Sequence, residues 1–135
     1  PIANAHMISE TLRAFEIAGT GGVVSILPFE QTHGRIKSLG FRMGPIAYSS
    51  DVDDLDEAAF AALSGVDTWV VDALRYTPHP SHAHVAKTLE WIARVKPRHA
   101  VLTNLHVDLD YETLKRELPK GVEPAYDGMV LSLPL

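Results

Sequence analysis

Seven histidines and no cysteine among 135 residues set the chemistry open to this chain. The histidines are unevenly placed. His33 follows an apolar run in Gln31-Thr32-His33-Gly34. His79, His82 and His84 crowd into Pro78-His79-Pro80-Ser81-His82-Ala83-His84, and His106 follows the run Ala100–Leu102. Two carboxylates stand in comparable places, Asp51 after Ile46–Tyr48 and Asp72 after Val66–Val71. Neutral imidazole and carboxylate together form a donor set for zinc, manganese or iron, and an open position on such a metal activates water. The same residues have plainer uses. Asp51 opens the acidic turn Asp51–Asp54 and can be solvated there, Asp72 can accept from nearby backbone, and a single loop histidine such as His33 needs no ligand. Spacing alone leaves both readings open. His6 and His99 are read as surface residues and assigned nothing.

The elements that must position these residues alternate between short strands and amphipathic helices. A strand is predicted over Val23–Phe29 after the turn Gly19-Thr20-Gly21-Gly22, and a pair over Leu39–Met43 and Ile46–Tyr48 joined by Gly44-Pro45. Asp56–Leu63 reads as a helix with acids at its start and Gly65 past its end, and Val66–Val71 as a buried strand. Ser81 is the predicted N-cap of a helix whose apolar face is Val85, Leu89 and Ile92, followed by Pro97. That places His82 in the first turn, where the helix dipole keeps imidazole neutral or aims it at an anion. Ala100–Leu102 is a strand, Asp110–Leu118 a helix closed by Pro119-Lys120-Gly121, and Glu123–Tyr126 with Met129–Leu133 a terminal hairpin around Asp127-Gly128. Such alternation implies an α/β layered architecture, a mixed sheet with flanking helices, in which ligands bind at the carboxyl ends of strands. Four of those ends carry His or Asp.

Composition narrows the class. Twelve Lys and Arg against seventeen Asp and Glu leave a net charge of −5, which argues against wrapping an extended nucleic acid but not against a small phosphate ligand. Hydrophobic residues at 46% and charged residues at 21% exclude a disordered chain. Without cysteine there is no disulfide, thiolate zinc site or cysteine nucleophile. The longest apolar runs fall short of the roughly 20 residues that span a bilayer, so no membrane partner and a cytoplasmic location are expected. Residues 1–135 read as one unit, and the start Pro1-Ile2-Ala3-Asn4 as a cut edge.

Five motifs then occur in order: Tyr48-Ser49-Ser50-Asp51, Asp72-Ala73-Leu74-Arg75-Tyr76, Pro78-His79-Pro80-Ser81-His82, Leu102-Thr103-Asn104-Leu105-His106 and Ala125-Tyr126-Asp127-Gly128-Met129. Together they resemble the metallo-β-lactamase-fold hydrolases, in the branch like the phosphoribosyl cyclic phosphate phosphodiesterase, from about Gln31 to the end. The family's first-half motif His-x-His-x-Asp-His does not occur here. The resemblance therefore implies the C-terminal part of such a domain, half of an αββα sandwich, with an apolar sheet face that favours a homodimer.

By that resemblance His33 matches a metal ligand, Asp51 the carboxylate that bridges two ions, and His82 the general acid that protonates the leaving oxygen. Where the family has its last histidine ligand this chain has Asn104, an amide that suits manganese better than zinc. His106, two residues on and on the same side of an extended chain, is the expected ligand, with Asn104 the rival. Arg75 and Tyr76 are expected to clamp phosphate, with His79 and His84 as further substrate-binding candidates. The implied activity is a phosphodiesterase of the cytoplasm, holding two zinc or manganese ions in its complete form, that attacks a small cyclic phosphate or nucleotide with metal-activated water. The alternative is a catalytically incomplete fragment that serves as a phosphate-binding or assembly module.

Overall fold

The computed structural model describes residues 5–133. Strands β1 (Phe15–Gly19), β2 (Gly22–His33), β3 (Ile36–Met43) and β4 (Ile46–Ser49) run as an antiparallel meander. They are followed by α1 (Glu57–Leu63), β5 (Thr68–Asp72), α2 (Val85–Val95), β6 (His99–Thr103), α3 (Tyr111–Glu117) and β7 (Val122–Pro124). The strands form one seven-stranded sheet in sequence order, antiparallel from β1 to β4 and parallel from β4 to β7. This is the mixed sheet with flanking helices that the resemblance implies. No helix among the described residues is long and apolar enough to cross a membrane.

The parallel half follows from short helices used as crossovers. Asp56 caps α1 by accepting from Ala59 N, and Asp110 caps α3 by accepting from Thr113 N, each satisfying a backbone donor that a helix start leaves free. The helices bury Ala59, Leu63, Trp91, Ile92 and Leu114 in one core with Ala47, Trp69, Val71, Ala100 and Leu102 of the sheet. Trp69 Nε1–H reaches Ser49 Oγ at 3.0 Å, so the largest core side chain leaves no polar group unpaired. On the opposite face the register aligns Phe41, Tyr48, Val70 and Val101, and Tyr48 stays exposed.

Three local expectations need correction. The helix after β5 is capped not by Ser81 but by His84, whose side chain makes no capping hydrogen bond. Residues 81–84 are instead drawn out as a strap, because Ala83 N donates to Val52 O, Leu74 N to Ala83 O and Val85 N to Arg75 O. The predicted terminal hairpin does not form. β7 pairs in parallel with β6, and Met129–Leu133 joins no strand even though Tyr126–Met129 makes the expected turn. The hairpin partner β1 went unpredicted because its residues are mostly exposed and leave no buried face to read; it pairs across the two-residue turn Thr20-Gly21.

Candidate active site

β2, β4, β5 and β6 all point the same way, so their carboxyl ends share one edge of the sheet. His33 is the last residue of β2, Asp51 lies two past β4, Asp72 ends β5 and Asn104 follows β6. The strap between β5 and α2 returns to this edge and brings His82. One donor atom each from His33, Asp51 and His82 lies within 4.8 Å of the other two. Residues far apart in the chain thus meet because four strands end together.

Each imidazole is fixed through one nitrogen. His33 Nδ1 lies 2.6 Å from Ser81 O. A carbonyl only accepts, so Nδ1 carries the hydrogen and Nε2 keeps its lone pair. Gly34 makes this approach possible: its φ is +61°, and a Cβ there would lie 3.0 Å from Ser81 Cβ. His82 Nδ1 lies 2.7 Å from Asp72 Oδ2, which also accepts from Val52 N at 3.2 Å. Asn104 Nδ2 donates to Asp72 Oδ1 at 3.3 Å. Its 3.2 Å approach to His82 Nδ1 is then a contact between two donors, because that nitrogen already gives its hydrogen to Asp72. Asp72 is wholly buried, and burial raises its carboxyl above the usual carboxylate range, opposed first by the His82 hydrogen bond and then by Val52 N.

The His33 and His82 rings meet edge to face with centroids 4.7 Å apart, and the His79 ring lies 5.2 Å from that of His82. Desolvation first, then the Arg75 charge, lowers the pKa of this third imidazole. Arg75 spends its guanidinium on its own loop, donating to Thr77 O at 3.2 Å and Pro78 O at 2.8 Å. Tyr76 O–H donates to Glu117 of α3 at 2.7 Å, and that anionic partner raises its pKa. Both expected phosphate clamps thus make other hydrogen bonds in this structure. His84 sits at the start of α2.

The structure does not bring His106 into the cluster. Its Nδ1 pairs with Asp108 Oδ2 at 3.1 Å, and its backbone N–H donates to Leu74 O, which turns the chain away after β6. Asn104 occupies the strand-end position instead, in the left-handed conformation (φ +59°) that asparagine tolerates. Period-two reasoning failed here because the strand ends at Thr103, so residues 104 and 106 are not related by a pleat. In the sequence Asp72 is a strand-end carboxylate like Asp51, and its total burial beside a histidine is the feature that marks it.

Two imidazoles and a carboxylate converging at one edge of the sheet suit a divalent cation such as zinc or manganese, and the donor chemistry fits. Comparison with known proteins agrees with the fold. A family model described as a beta-lactamase superfamily domain matches residues 2–104. The chain is similar to the crystal structure of a diphosphatase from the PhnP family, at 31% identity and a TM-score of 0.87, over 99% of this chain and 51% of that one. It is similar to the fold of zinc-bound PqqB from Methylobacterium extorquens, at 15% identity and a TM-score of 0.66, over 91% of this chain and 54% of that one. An octanoyltransferase of Porphyromonas gingivalis is 28% identical over 109 residues, 78% of this chain and 22% of that protein. The chain thus spans about half the length of the diphosphatase and about a fifth of the octanoyltransferase.

Proposed function

Because the chain belongs to the beta-lactamase superfamily, we propose that it contributes half of the active site of a metal-dependent hydrolase that cleaves a small phosphodiester. The observation that carries this reading is the convergence of His33, Asp51 and His82 beside the buried Asp72. The likeness to a diphosphatase over the whole chain supports phosphoryl chemistry over the other reactions this fold hosts.

His33 and Asp51 would hold the cation, His33 through Nε2 and Asp51 through its exposed carboxylate. A divalent cation bound there supplies Lewis acidity toward a phosphoryl oxygen and lowers the pKa of water. His33 and Asp51 do not complete a two-metal site, so the remaining ligands would come from outside these 135 residues, in the region equivalent to the rest of the relatives' length. His82 acts as proton donor. Asp72 holds its Nδ1, stabilises the imidazolium and leaves Nε2–H directed at the leaving oxygen. Asn104 keeps Asp72 in place through Oδ1. His79, its ring 5.2 Å from that of His82, offers a hydrogen bond to substrate.

The test is elemental analysis of the full-length protein together with hydrolysis of a nitrophenyl and an alkyl phosphodiester by wild type and His82→Ala. General acid catalysis is worth about 10²–10⁴ in rate, so the variant should lose that much on the alkyl ester, less on the nitrophenyl ester, and no metal. Loss of metal would make His82 a ligand. Metal-loaded protein with no turnover of either ester would overturn the hydrolase reading in favour of a phosphate-binding module.

A further inference from the structure

Asp51 has a backbone φ of +52°, a left-handed conformation uncommon outside glycine and, as at Asn104, open to a short polar side chain that the surroundings hold there. The peptide planes on either side of its Cα are both held by side chains. The carbonyl of Ser50, in the plane before it, accepts from Gln31 Nε2 at 3.1 Å. The carbonyl of Asp51 itself, in the plane after it, accepts from Ser38 Oγ at 2.6 Å, while Val52 N of the same plane donates to Asp72. Gln31 and Ser38 face each other across β2 and β3 and are linked, Nε2 to Oγ, at 3.3 Å.

We infer that Gln31 and Ser38 are positioning residues that set the left-handed backbone of Asp51 and so aim its carboxylate at His33 and His82. The inference rests on the reading of Asp51 as a metal ligand. Rotation about the Cα of Asp51 is what relates the two planes, so pinning both carbonyls fixes the direction in which the side chain leaves. Gln31 is an expensive choice for packing alone: it is 1% exposed and its Oε1 has no partner. Room for the amide is kept by Gly40, where a Cβ would fall 2.6 Å from Gln31 Oε1 and 2.3 Å from the Phe29 ring. A buried amide retained with an unpaired acceptor, under a glycine that clears space for it, is explained by the donor it sends to Ser50.

The experiment measures cobalt(II) affinity and the visible d–d spectrum of the full-length protein for Gln31→Met, Ser38→Ala, Ser38→Thr and Asp51→Ala, with metal-free melting curves. Loss of a group that orients a ligand ordinarily weakens metal binding about 10–100-fold. Gln31→Met and Ser38→Ala should show such a loss and a changed d–d band while the metal-free protein still melts cooperatively. Ser38→Thr, which keeps the hydroxyl, should restore both. Because Gln31→Met alters a packed position, Ser38→Ala, which removes one oxygen, decides if the former does not fold. Wild-type affinity and spectrum in Ser38→Ala, with metal lost in Asp51→Ala, would overturn the positioning role alone, as would failure of Ser38→Thr to recover binding. Unchanged cobalt binding in Asp51→Ala would instead remove the ligand reading itself, and this inference with it.

Discussion

Asp72→Asn is the most informative single change, because the geometry predicts which of two outcomes it has. The carboxylate accepts two hydrogen bonds at Oδ2, from His82 Nδ1 and backbone Val52 N, and one at Oδ1 from Asn104. A carboxamide has one oxygen and one NH₂ to place. The backbone N–H of Val52 cannot turn away, whereas the Asn104 amide can rotate, so the oxygen goes to the Oδ2 position and His82 keeps its hydrogen on Nδ1. Only the charge of the partner is lost. Hydrogen bonds to a charged group contribute about 1.5–3 kcal/mol against about 0.5–1.5 for neutral pairs. A deficit of about 1–1.5 kcal/mol in stabilising the imidazolium is roughly tenfold in rate. The assay is kcat on alkyl and nitrophenyl phosphodiesters at matched metal content, with the roughly tenfold loss confined to the alkyl ester. A fall near 10⁴-fold, the scale seen when a buried aspartate is replaced and the imidazole tautomer reverses, would refute the placement of the amide oxygen. No loss at all would remove Asp72 from the mechanism.

The same residue predicts a pH dependence. Burial raises the folded carboxyl above its ordinary value, so in the window between the two the folded state holds a proton that the unfolded chain has released. Stability contributed by this group therefore falls as pH rises through that window, and urea midpoints at several pH values should show Asp72→Asn lacking that decline; equal slopes would refute it. His106→Ala should leave cobalt affinity within about twofold of wild type, on the scale of surface changes rather than the 10–100-fold of an orienting group, while Asn104→Ala slows turnover of the alkyl ester by freeing Asp72 Oδ1. A larger metal loss in His106→Ala would restore it as a ligand. Gly40→Ala should destabilise the protein by about 3 kcal/mol, since its Cβ would overlap the Phe29 ring and overpacking costs about 1–3 kcal/mol or more. A urea-derived difference under about 1 kcal/mol would show that Phe29 moves aside freely.

The sequence by itself determined the alternation of strands and helices, the β3–β4 hairpin at Gly44-Pro45, the short helices that begin beside Asp56 and Asp110, and the placement of His33, Asp51 and Asp72 at strand ends. These are local facts, written in hydrophobic period, turn residues and capping oxygens that lie within a few positions of one another. The motifs also carried the family likeness, because their order along the chain is itself a sequence property. Tertiary structure decided the rest. Ser81 has the chemistry of a helix cap, but three hydrogen bonds to Val52, Leu74 and Arg75 hold the strap extended, and the helix starts three residues later than that cap implies. β7 has the residues of a hairpin arm but satisfies its backbone groups against the edge of β6 instead. His106 and Asn104 are equally plausible ligands in one dimension, and only the end of β6 at Thr103 separates them. The pairing of Asp72 with His82, and the grip of Gln31 and Ser38 on each other and on the backbone beside Asp51, join positions 7 to 19 residues apart across strands and loops. Such contacts depend on which strand ends meet at one edge, and no periodicity or spacing along the chain encodes that.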